Sequence, residues 1–177
     1  AQLGTPGSGA PLAGIELRIE DAEIQVRGDV LMDGYLGQPR EGSAWSDDGW
    51  FRTGDLGAFL PDGQLVVRGR RDELIITGGE NVAPQEVEAW LESLPGVASA
   101  CVFAVADETW GSAVAAAIIA EGPRFDPGSL RERARDGLAD YKRPKWIAML
   151  DAFPLNRSGQ VDRAAVAECC EGKLDAI

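Results

Sequence analysis

The chain has 177 residues, 45% of them hydrophobic and 26% charged, enough apolar material for a core in one ordinary domain or two small ones. Seventeen basic against 29 acidic residues leave a net charge of -12, which repels nucleic acid and anionic membrane surfaces wherever basic residues are not clustered. The absence of histidine and the presence of only three cysteines exclude a histidine-based triad, a histidine metal site and a paired-cysteine zinc cluster.

The chain opens at Ala1, without an initiator methionine, in a Gly/Pro/Ser-rich stretch that caps nothing, and is expected to be a piece of something longer. Within it, "TPGSGAP" has the glycines of a phosphate loop but no lysine and no helix behind it, so it reads as a connecting segment. "IELRIED" and "AEIQVRG" alternate apolar and polar residues and predict two half-buried strands able to pair as a hairpin. After a loop holding Gly34, Gly37, Pro39 and Gly42, "GWFRTGDLGAFLPDGQLVVRGR" predicts two more strands around a Pro61-Asp62-Gly63 turn.

The composition changes after Arg70. Pro84 suits a first helical position, Glu86 and Glu88 favour its positive end, and Val87, Trp90, Leu91 and Leu94 fall on one helical face before Pro95 and Gly96 stop it. "VASACVFAVAD" and the alanine-rich "SAVAAAIIAEG", closed by Gly122 and Pro123, predict buried strands. A helix over about 127–138, a strand through "KWIAMLD" and a short helix over about 162–170 complete the pattern. The expected fold class is α+β, with a β-rich part over 1–71 and an α+β module, a three-stranded sheet with flanking helices, over 72–177. The longest purely apolar run, Ala113 to Ala120, is far short of the roughly 20 residues of a membrane span, and a soluble, cytoplasmic protein is expected. Cys101 reads as core, and Cys169-Cys170 as a reduced pair.

Three segments, "DGWFRTGDLG", "GRRDELIITGGENVAPQEVE" and "FPLNRSGQVDR", resemble in order and separation the last three core motifs of the adenylate-forming superfamily. That superfamily comprises acyl- and aryl-CoA synthetases, luciferases and the adenylation domains of peptide synthetases. "GSGAPLAGIELRI" and "AEIQVRGDVLMDGYLG" extend the resemblance upstream, and "LIITGGENVAPQEVE", "ADETWG" and "DYKRPK" look most like acid-CoA ligases of the o-succinylbenzoate, halobenzoate and medium-chain acyl type. The resemblance implies a truncated antiparallel β-barrel subdomain, closing a large N-terminal domain, followed by a mobile lid. It implies a reaction in which a carboxylic acid and ATP give an acyl-adenylate and pyrophosphate, after which CoA displaces AMP. Mg2+ is expected in the longer enzyme, with no ligands in this chain, and the missing N-terminal domain is the expected partner.

Carried over residue by residue, the resemblance assigns Asp55 to the ribose hydroxyls and Arg70 to the ribose or phosphate of the nucleotide. Asp72, at the change of composition, takes the position of the hinge about which the lid turns. Gly78, Gly79 and Glu80 would lie along the pantetheine tunnel, where a glycine pair lets backbone approach a ligand. Lys142, Arg143 and Lys145, in a segment stiffened by Pro144, form a local anion site despite the acidic whole, and with Trp110, an aromatic placed to stack on adenine, they fall to CoA.

The remaining position departs from the pattern. Where the resembling ligases have a lysine that bridges the attacking carboxylate and the α-phosphate, this chain has Gln160, a neutral amide, inside an otherwise intact "NRSG…VDR" loop. The amide lacks the charge that makes such a donor roughly twice as strong as a neutral one. Two other readings remain open from sequence: an adenylation domain of a peptide synthetase, which would hand its acyl group to a carrier protein, and a non-catalytic binding or regulatory module.

Overall fold

The computed structural model describes residues 7–37, 44–122 and 125–177. The start of the opening glycine-rich stretch, Pro39 and Gly42 of the predicted loop, and Pro123 lie outside these. The chain divides into two compact units, Ala1–Asp72 and Glu73–Ile177.

In the first unit four strands, β1 (Ile15–Glu20), β2 (Glu23–Gly28), β3 (Phe51–Phe59) and β4 (Leu65–Arg70), form one antiparallel sheet in sequence order. Both predicted hairpins are present. The first turns through Asp21 and Ala22, both at positive φ (49° and 63°), the backbone that a two-residue hairpin turn with the twist of its strands requires. The indole of Trp50 lies beneath two guanidinium groups, Arg18 and Arg27 at 4.6 and 4.5 Å from the ring centroid, so a buried aromatic supports two cations of the sheet face. Among the described residues the sheet is open and forms no closed barrel. Its buried apolar residues among those described are Ile24, Trp45 and Trp50.

The second unit carries a larger core. A hairpin of β5 (Ile75–Thr77) and β6 (Glu80–Val82) leads into α1 (Pro84–Glu92), followed by β7 (Val97–Asp107), β8 (Gly111–Ala120), α2 (Leu130–Gly137), β9 (Trp146–Met149), α3 (Arg163–Cys170) and the two-residue β10 (Asp175–Ala176). The sheet order is β10-β9-β8-β7, parallel only between β8 and β9, where α2 supplies the crossover that parallel neighbours need. The three expected strands are joined by a short fourth at the edge. After β5 the chain turns and returns as β6, an antiparallel hairpin outside the elements expected from sequence.

The alanines of β8 follow from its place in the middle. Val114, Ala116 and Ile118 pack with Val87, Leu91 and Leu130 on one face, while Ala115 and Ala117 pack with Phe103, Val166 and Cys170 on the other. A strand covered on both faces loses the polar alternation of a half-exposed one, and small side chains let both layers approach. On α1 the carboxylates of Glu88 and Glu92 accept the backbone N–H of Val102 (2.7 Å) and Ala100 (3.1 Å). These bonds satisfy donors along the outer side of β7, which would otherwise offer an unpaired edge.

Candidate functional site

In the first unit Asp55 and Arg70 are direct partners across the β3–β4 ladder. Arg70 Nη1 donates to Asp55 Oδ1 at 3.2 Å and its Nε donates to Asp72 Oδ1 at 3.0 Å, so one guanidinium ties the aspartate predicted for the nucleotide to the residue predicted as hinge. Gly54, at φ +76°, makes room for it, since a β-carbon there would stand 3.1 Å from Arg70 Nη2. The hydrogen bond from Arg70 holds the Asp72 carboxyl below the usual carboxylate range. All three side chains are more than a third exposed, so the pairs orient the groups more than they stabilise the fold.

In the second unit the tip of the β5–β6 hairpin meets the turn between β7 and β8. Gly78 donates its N–H to the carbonyl of Trp110 at 3.1 Å. A β-carbon at Gly78, φ +59°, would come within 2.5 Å of Trp110 Cε3, so the indole lies against a backbone with no side chain. The other side of the cluster is charged: Lys145 Nζ is 5.2 Å from the Trp110 ring centroid and 3.3 Å from Asp107 Oδ2. Asp107 Oδ1 also accepts the N–H groups of Thr109 and Trp110, both at 2.9 Å. Those bonds, that of Trp110 first, hold the Asp107 carboxyl below its ordinary range. The result is an indole 50% exposed, with a cation beside it and glycine backbone beneath. Gly79 and Glu80 are exposed on the same tip.

The other two cations of the predicted anion site are engaged elsewhere. Lys142 Nζ pairs with Glu86 Oε1 of α1 at 2.6 Å. Arg143 serves the C-terminal end of α2: its Nε donates to the carbonyls of Ala134 (3.1 Å) and Leu138 (3.0 Å), and its Nη2 to that of Arg135 (3.0 Å), while Nη1 pairs with Asp140. A helix end leaves carbonyls without partners and favours a cation, so Arg143 caps α2.

Gln160 sits on a tight, exposed loop. Asn156 Oδ1 accepts the N–H of Ser158 and of Gln160, both at 3.0 Å, and the Ser158 hydroxyl at 2.9 Å. A Leu155–Val161 bridge and the bond from Asn156 N–H to the Gln160 carbonyl, 2.8 Å, close its base. Among the described residues the Gln160 side chain makes no hydrogen bond, so its amide is presented outward by an ordered backbone.

Sequence reasoning missed Asp107, whose signal is its place two and three residues ahead of the N–H groups it binds, an Asx-turn pattern. It also missed the ion pairs of Arg163, which join residues far apart in the chain and have no local signature. Among the described residues no group of three or more Asp, Glu or Cys side chains converges to hold a metal ion.

Residues 86–160 match the family described as the AMP-binding enzyme C-terminal domain. The chain is 45% identical over 144 residues to 2-succinylbenzoate--CoA ligase of Bacillus licheniformis, covering 81% of this chain and 30% of that protein. It superposes on the o-succinylbenzoate CoA synthetase (MenE) of Bacillus subtilis, solved in complex with the acyl-adenylate intermediate OSB-AMP, with a TM-score of 0.80 at 36% identity, covering 89% of this chain and 34% of that one. The chain belongs to the adenylate-forming superfamily. Within that superfamily it is also 34% identical over 148 residues to long-chain-fatty-acid--CoA ligase FadD13 of Mycobacterium tuberculosis, covering 84% of this chain and 29% of that protein. ATP-bound MatB from Rhodopseudomonas palustris matches with a TM-score of 0.85 at 31% identity, covering 93% of this chain and 36% of that one. The chain thus spans about a third of the length of these adenylate-forming relatives.

Proposed function

We propose that this chain is the C-terminal part of an ATP-dependent acid-CoA ligase, whose second unit is a lid that serves adenylation in one orientation and thioester formation in the other. In the first half-reaction a substrate carboxylate oxygen attacks the α-phosphorus of ATP and pyrophosphate leaves. In the second the CoA thiol attacks the acyl carbon and AMP leaves with the bonding electrons. Asp55 accepts hydrogen bonds from the ribose hydroxyls of the nucleotide, with Arg70 beside it on the ribose or phosphate. Asp72 is the hinge, and its bond to Arg70 is one that a turn of the backbone there would exchange.

The observation that carries the reading is the half-exposed Trp110 indole lying against Gly78 with Lys145 at its side. A flat aromatic face next to a cation suits a nucleotide, with adenine stacked and phosphate paired. CoA has both, and the Gly78-Gly79 backbone beside them suits the narrow pantetheine arm. Lys142 and Arg143 would join the phosphate contacts only by sharing donors already given to Glu86 and to the α2 carbonyls. Lys145 also shares its charge, with Asp107, but stands beside the indole, so Trp110 and Lys145 carry the assignment.

The test is Trp110→Ala in the longer enzyme. The KM for CoA should rise about tenfold, in line with the 1–3 kcal/mol that stacking on one base is worth, while the KM for ATP stays within twofold. Equal effects on both substrates would remove the CoA assignment.

A further inference from the structure

We propose that Arg163 is the positioning residue that fixes the loop carrying residue 160 to the body of the second unit. The proposal rests on the reading above that this loop serves adenylation. Segment 154–162 is built as one piece: the Leu155–Val161 bridge, the Asn156 side chain and a bond from Asp162 N–H to the Pro154 carbonyl at 2.9 Å close it on itself. Asp162 then caps α3, its carboxylate accepting Ala165 N–H at 3.1 Å. What aims the loop is whatever holds the residue that follows.

That residue is Arg163. Its Nη1 donates to Glu88 Oε1 on α1 and to the Val102 carbonyl on β7, and its Nη2 lies 3.6 Å from Glu73 Oε2, the residue after the hinge position. Glu88 and Glu73 are held in turn by Val102 N–H and by Gln85 Nε2. With side-chain exposures of 26% for Arg163 and 16% for Glu88, the pair is shielded from water, and its direction is set by three acceptors on separate segments. The rest of α3 does not need it, because Val166 and Cys170, both fully buried, hold the later turns in the core. The guanidinium therefore acts at the first turn, where the loop begins.

Order is read first in this chain, without substrate, by 15N relaxation. Amides of 156–161 should have order parameters of about 0.85, falling below about 0.6 in Arg163→Met while those of β7 and β8 are kept. Arg163→Lys, which keeps a charge for Glu88, should lie between. Unchanged order in Arg163→Met overturns the proposal. Should that variant lose its shift dispersion, Glu88→Gln replaces it: this keeps an acceptor for Val102 and removes the charge, and unchanged loop order there overturns the proposal equally.

In the longer enzyme carrying Gln160→Lys, Arg163→Met should slow adenylate formation at least tenfold with the KM for ATP within twofold, leave the thioester half unchanged, and be partly rescued by Arg163→Lys. Equal loss in both halves would mean a merely structural role. If Gln160→Lys alone gives no acceleration, the adenylation reading has failed, and the relaxation measurement still decides the clamp.

Discussion

Gly78 lies directly under the indole of Trp110, with no room between them for a side chain: a β-carbon would sit 2.5 Å from Cε3. Gly78→Ala should therefore be penalised twice, by about 1–2 kcal/mol for a β-carbon at φ +59° and by displacement of the ring. Trp110→Ala removes the second penalty only. In urea unfolding of this chain the double variant should be more stable than the sum of the single changes by more than about 0.5 kcal/mol, the limit for independent sites. Additivity would show that the two residues do not touch in solution.

Arg143 gives its Nε and Nη2 donors to three carbonyls at the end of α2, so its first duty is structural. Arg143→Met should lower stability by about 2 kcal/mol, the usual worth of hydrogen bonds to a charged group, and hydrogen exchange should quicken at the C-terminal amides of α2. A variant of unchanged stability that raised the KM for CoA would instead assign Arg143 wholly to the ligand.

How far the fold could be read beforehand depended on how local its causes are. The two hairpins of the first unit are written in adjacent residues, as is α1, where Pro84 opens the helix and Val87 and Leu91 share a face. The strand character of β8 was legible in its short length between glycines, because burial on both faces leaves no periodicity to read. The β5–β6 hairpin was not, since three-residue strands carry almost no pattern and depend on Gly78 packing against Trp110, more than 30 residues away. At the site, residue types were visible and their engagements were not. "YKRPK" shows three cations, but only the folded chain shows two of them bound to α1 and α2 and the third beside Trp110.

The three thiols differ in burial, and their chemistry should follow. Burial pushes the Cys101 thiol up to about 12, and Cys170 is raised by the same cause, whereas Cys169 is exposed. In the native chain iodoacetamide should modify Cys169 alone, with Cys101 and Cys170 reacting after unfolding; peptide mass spectrometry reads the difference. A thiol of raised pKa keeps its proton in the folded state longer than in the unfolded one. The contribution of Cys101 is thus fully present below the ordinary thiol pKa of about 8.5 and is lost as pH rises through the folded value. Cys101→Ala should flatten the fall in stability between about pH 8.5 and 12, and an unaltered slope there would contradict the assignment.

The loop of Gln160 presents a neutral amide where, on the adenylation reading, a charge would serve the α-phosphate, and its backbone is already ordered by Asn156. A lysine there would need no rearrangement of the loop, because the side chain at 160 is exposed and makes no hydrogen bond among the described residues. In the longer enzyme Gln160→Lys should speed adenylate formation by roughly a hundredfold, the equivalent of about 3 kcal/mol of charge stabilisation in the transition state. The thioester half should hardly change if the proposed hinge at Asp72 carries this loop away while the Gly78-Gly79 tip takes its place. Single-turnover formation of adenylate from acid and ATP, and separately the consumption of pre-formed adenylate by CoA, read the two halves. Acceleration of both alike, or of neither, would show that residue 160 is not the adenylation group.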